Sequence, residues 1–143
     1  MIYLSDLMLT IFYAAFGILL MIVSNAVIDL FIPGDFAEEI RRGNRAVAWL
    51  SAGSFIGIGE ILRAVILSPV YEAVAPDFMQ GVLSSAVYAA LGIVCFILGF
   101  FAINLWHRKY ALAAEIQKGN TAAGILVFGI FVGLSLVISG AVH

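Results

Sequence analysis

Glu60 and Arg63 stand three residues apart inside a long apolar run. Charges at such depth are costly unless they pair or face water. Their spacing allows an ion pair along one helix, so the two serve either as a structural pair or as a charged station on a solute route. Five more polar residues, Asn25, Asp29, Asn44, Asn104 and Asn120, gather toward one end of the apolar runs. That distribution suits a pathway for an ion or small solute. Other chemistry is not expected. His107 and His143 lie at opposite ends of the topology, which excludes a bis-histidine haem, and Cys95 sits inside an apolar run as an inert thiol. No metal-ligand spacing, P-loop, nucleophile elbow or dinucleotide fingerprint occurs. We therefore expect no enzyme, no metal and no cofactor.

Four apolar runs must position these residues: about 8–32, 46–70, 82–106 and 121–142. Each has the roughly 20 residues that a bilayer core requires. With 64% hydrophobic and 11% charged residues, little chain is left for a separate soluble domain. The expected fold is an all-α membrane protein of four transmembrane helices. The first run follows a single charge, Asp6, and is too long for a signal-peptide core, so it is expected to remain as a helix.

The chain also repeats itself. Glu39-Ile40-Arg41-Arg42-Gly43-Asn44-Arg45-Ala46 returns 76 residues later as Glu115-Ile116-Gln117-Lys118-Gly119-Asn120-Thr121-Ala122. Phe36 answers to Leu112, Gly53 and Gly57 to Gly129 and Gly133, and Ile61 to Val137. This divides the chain into two tandem helical hairpins, 1–76 and 77–143, within one structural domain. Before helices two and four, the apolar pairs Phe36/Ile40 and Leu112/Ile116 predict short amphipathic helices at the interface. Gly43 and Gly119 would stop them, and Asn44 and Asn120 would cap the helices that follow. Glycines four apart share a helix face where backbones can approach. Gly53 and Gly57, with Gly129, Gly133 and Gly140, therefore predict helices two and four as a central pair, with one and three outside. Glu60 lies near that stripe and should face protein, about 22 Å along the helix from Arg45 at the usual rise.

Arg41, Arg42 and Arg45 follow helix one, and Arg108, Lys109 and Lys118 follow helix three. The intervening loop on the other side carries Glu72 and Asp77 instead. The positive-inside rule puts both repeat loops in the cytoplasm and both termini outside. Each repeat has two helices, so the copies share one orientation about an axis along the membrane normal. A net charge of −2 with no polybasic tract gives no reason to expect nucleic acid as a partner.

The doubled E-I-x-x-G-N-x-A, followed each time by a glycine-spaced apolar helix, resembles the bacterial inner-membrane family called domain of unknown function 350, the YjfL-like proteins. Its most specific mark, the Gly-Asn pair, stands at Gly43-Asn44 and Gly119-Asn120. The resemblance implies two tandem two-helix copies in the inner membrane and an association with envelope-stress or phage-shock-like gene neighbourhoods; it implies no activity. The second copy departs with Thr121 for Arg45 and Gly124 for Ala48.

Two functional expectations follow. In the first, the chain forms a homo-oligomer, a dimer favoured, that carries an ion or small solute; four close-packed helices fill their own centre, so a pore needs more than one chain. In the second, it is a structural or adaptor protein that recruits a cytoplasmic or membrane partner through the charged faces of 35–42 and 109–118. The shared orientation is testable: a membrane-impermeant thiol reagent should label Arg42→Cys and Lys118→Cys from the same side. Labelling from opposite sides would reject it.

Overall fold

A computed structural model describes residues 4–68, 78–106, 109 and 111–142. Of the outer loop expected over Ser68 to Gly81, residues 69–77 lie outside the described residues, as do His107, Arg108 and His143, while 78–81 already belong to a helix. The regular structure of the described residues is all helical: α1 Leu4–Phe31, α2 Phe36–Arg41, α3 Arg45–Leu67, α4 Phe78–Trp106, α5 Leu112–Gln117 and α6 Thr121–Ala141. Four of these, α1, α3, α4 and α6, are long and apolar enough to cross a membrane. In lipid the helix is the form that satisfies its own backbone, and uninterrupted Leu, Ile, Val and Phe supply the apolar surface.

The ends are set locally. Pro33 and Gly34, the latter at φ +123°, turn the chain out of α1. Asp35 caps α2 by accepting from the Glu38 amide at 2.9 Å. Gly43 and Gly119 take up φ of +82° and +81°, a region closed to most side chains. Each delivers the chain to an asparagine whose Oδ1 accepts from the first amides of the next helix. The short helices and caps thus form where their spacing places them, although α5 begins at Ala111 without a side-chain cap.

The packing keeps the expected pair of α3 and α6 as its most extensive helix contact, with α3 the more enclosed: 56% of its most apolar window is buried against 28% for α6, 22% for α4 and 6% for α1. Contacts advance together along both helices from Ala46–Gly124 to Ser68–Val142, so the two run side by side in one direction. A Cβ on Gly53 would stand 2.8 Å from Phe128 Cα, and one on Gly57 2.5 Å from the Phe96 ring. That ring stacks on Phe131 with centroids 4.7 Å apart. Gly57 thereby lets α3, α4 and α6 meet around two fully buried aromatic rings.

On α6, however, Gly129, Gly133 and Gly140 meet nothing within the chain. The close approach belongs to Gly124, where an added Cβ would collide with the Ala46 backbone. The reason is rotational. α3 presents its glycine stripe to α6, while α6 answers with another face, that of Gly124, Val127, Phe131 and Ser135, all buried. Gly124→Val is expected to lower stability by at least about 1–3 kcal/mol through overpacking, read as thermal unfolding in detergent. Gly140→Ala should not lower the fold's stability.

Candidate functional site

The expected polar residues do not converge on one cavity. At the Gly-Asn end, Asp29 on α1 accepts from the Phe36 amide at 3.0 Å and fixes the entry to α2. Asn25, one turn back, accepts from Ser54 Oγ at 3.0 Å and ties α1 to α3. Asn104 near the end of α4 is half-buried, and its Oδ1 is buried with no hydrogen-bond partner. The glycine stripe of α3 separates this end from the charged pair.

The two Gly-Asn corners share a local design. Asn44 Oδ1 accepts from the Ala46 and Val47 amides at 3.0 and 3.2 Å, while its Nδ2 donates to Glu39 Oε2 at 2.7 Å. Asn120 Oδ1 accepts from the Ala122 amide at 3.1 Å, and its Nδ2 donates to Glu115 Oε2 at 2.9 Å. The repeated spacing of Glu, Gly and Asn therefore closes a small ring: the glutamate orients the asparagine that caps the next helix. The Asn120 amide holds the Glu115 carboxyl below the usual carboxylate range, and Lys118 acts in the same sense. Arg41, hydrogen-bonded at 2.7 Å, does likewise for Glu38, with Arg42 adding to it. Beyond this the corners differ. Buried Asn44 also donates to the Ile116 carbonyl at 2.9 Å, linking the two halves of the chain, whereas the Asn120 side chain is exposed and bonds to Glu115 and Ala122 of its own half.

At the far end, Glu60 and Arg63 form a bidentate pair at 2.7 and 2.8 Å. Ser139 on α6 donates to Glu60 at 3.3 Å, so the carboxylate faces the other half of the chain, as its place beside the glycines predicts. Its side chain is 22% exposed, but that of Arg63 is 61% exposed. Arg63 also borders an apolar cleft of about 200 Å³ between α1 and α3, lined by Tyr13, Gly17, Met21, Gly59 and Leu62. Among the described residues, no group of three His, Cys, Asp or Glu side chains is placed to hold a metal ion. Sequence reasoning missed Ser139 as a partner of Glu60 and Gly124 as the contact glycine. Both stand where the copies differ, at the positions of Arg63 and Ala48.

The family profile of Domain of Unknown Function (DUF350) matches residues 1–142. The chain belongs to this family. It is 25% identical over 130 residues to the UPF0719 transmembrane protein YshE of Bacillus subtilis (strain 168), covering 91% of this chain and 90% of that one. A UPF0719 transmembrane protein of Aquifex aeolicus (strain VF5) is 28% identical over 110 residues, 76% of this chain but 38% of the relative. No solved structure matches the chain. Those names describe transmembrane proteins, in keeping with the four apolar helices of this DUF350 chain.

The corners of this DUF350 chain make an asymmetric prediction. Asn120→Ala removes a cap worth about 1 kcal/mol. Asn44→Ala also removes the cross-half bond to the Ile116 carbonyl, which keeps its bond from the Gly119 amide, at a further cost of about 0.5–1.5 kcal/mol. Thermal unfolding should show the Asn44 variant losing about twice as much stability; equal losses would refute a cross-half role for Asn44.

Proposed function

We propose that this protein is a multi-pass protein of the bacterial inner membrane, built from two copies of one hairpin, that self-associates to form a pathway for an ion or small solute. Both termini lie outside the cytoplasm in this reading, supported by the clustering of Arg and Lys beside the Gly-Asn corners. The observation that carries it is the exposure of Arg63 on a membrane-crossing helix. A guanidinium there is costly against lipid and is relieved by water or by another protein surface. The other polar residues support a route between chains better than one through a chain, because Asn25, Asp29, Asn44 and Asn120 are each engaged in a bond that holds helices or caps one. A route along the contact between copies would use Glu60, Arg63 and Ser139 as a polar ring. Charged rings and apolar constrictions are the usual elements of selectivity and gating. No catalytic step or cofactor enters this reading, nor does nucleic acid.

The second reading, an adaptor that recruits a cytoplasmic or membrane partner in an envelope-stress response, is favoured by a different observation. Glu38, Arg41 and Arg42 on α2 pair with one another on an exposed face, which leaves a charged surface free for docking. Flux of monovalent ions into liposomes separates the two. The pathway reading expects flux from the wild type and a severalfold change on Glu60→Gln or Arg63→Gln. Folded, oligomeric protein that passes none of these ions would leave the adaptor reading standing.

A further inference from the structure

We infer that the chain binds further copies of itself through a second use of the contact that already joins its own two halves. This rests on the self-association in the proposed function but not on any transport. Inside the chain, the glycine face of α3 meets the Gly124–Ser139 face of α6. These are different faces of equivalent helices, so the contact is heterologous. One half of the chain uses its glycine face, and the other half uses its opposite number. Each half is then left with the unused mate: the glycine face of α6, and the face of α3 that corresponds to Gly124.

Burial follows this division at most positions; Ser51 and Gly59, the equivalents of Val127 and Ser135, are instead covered within the chain, Gly59 by Met21 of α1. On the glycine face, Leu50 and Ile61 are fully buried, while their equivalents Leu126 and Val137 are 37% and 71% exposed. On the receiving face the order reverses. Phe131 and Ile116 are fully buried, while their equivalents Phe55 and Ile40 are 38% and 45% exposed. The polar groups agree. Asn44 reaches the Ile116 carbonyl of the other half, but Asn120 is exposed, and so is Ile40, which carries the equivalent carbonyl. Small residues flank both unused faces, Ala48 and Ala52 on α3 and Ala122, Gly129 and Gly133 on α6. A second copy supplies the complement for the exposed positions at once: the α6 glycine face of one chain seats on α3 of the next beside Ala48, Ala52 and Phe55, and Asn120 donates to the next chain's Ile40 carbonyl.

Heterologous contacts close into rings when their rotation permits. On α3 the two contact directions lie on the order of 120° apart at about 100° per residue, which suits a ring of four to six halves, that is, two or three chains. One difference between the halves tells where the interchain contact is looser. Ala48 stands where Gly124 makes the closest approach, so its methyl holds the partner's Ala122 backbone further away. At the other end Arg63 replaces Ser139, and it arrives already neutralised by its own Glu60.

Disulfide trapping in membranes tests the geometry, in a Cys95→Ser background. One population carries Ala48→Cys and another Ala122→Cys, co-expressed with distinguishable tags; a second pair uses Ala52→Cys with Gly129→Cys. Cross-links should form between unlike tags and be nearly absent when either variant is expressed alone. A chain carrying both cysteines should give covalent dimers or a ladder ending at trimers. Gly129→Cys alone cross-linking efficiently would instead show α6 packing on α6 and overturn the inference. So would the absence of every cross-link from protein whose thermal unfolding matches the wild type. Asn120→Ala should weaken the trapped oligomer without the loss of monomer stability expected of Asn44→Ala. Flux measurements are independent of these outcomes.

Discussion

The close approach of the α3 and α6 backbones is the constraint on which the rest of this structure depends. Within a bilayer, apolar side chains gain little by leaving lipid for one another, so helices hold together through dense packing and a few polar bonds. Gly53 and Gly124 remove the side chains that would keep the two backbones apart. Their contact sets a parallel register in which Ala46 lies beside Gly124 and Ser68 reaches the Val142 carbonyl. Gly57 extends the same economy to a third helix by making room for Phe96 over Phe131. The dispersion gained by those fully buried rings depends on a glycine that contributes no side chain at all.

That register also decides what the asparagine corners do. Both corners solve one local problem, ending a short helix with a left-handed glycine and starting a long one with a capped amide. Only one of them is buried against the opposite half. Asn44 therefore has two duties, capping α3 and tying the first half to the Ile116 carbonyl of the second, while Asn120 has one duty and an open flank. The same residues at the same spacing thus differ in energetic weight because their surroundings differ.

The charged pair at the far end follows similar logic. Glu60 is drawn toward Ser139 by its place on the glycine face, and Arg63, three residues on, is carried out of that contact toward the surface. A carboxylate held inside and a guanidinium held outside make the pair a natural boundary between the chain and whatever covers it. This is the physical link between the packing of one chain and the proposed association of several.

The helices, their caps and the membrane-crossing character were legible in the sequence because each is local. Hydropathy over one run fixes a span, and Asp35, Gly43, Asn44, Gly119 and Asn120 fix helix ends within a few residues of themselves. The ion pair was equally legible, being one helical turn long. Which face of α6 meets α3 was not. The glycine spacing is the same in both copies, so the sequence read alone favours a symmetric meeting of Gly53 and Gly57 with Gly129 and Gly133. Tertiary structure chose the face of Gly124 instead, since two equivalent helices in one chain can pack through unlike faces and thereby leave one of each unused. Rotation about a helix axis is set by the whole neighbourhood, including the Phe96–Phe131 stack contributed by α4, and no single run of residues contains that information.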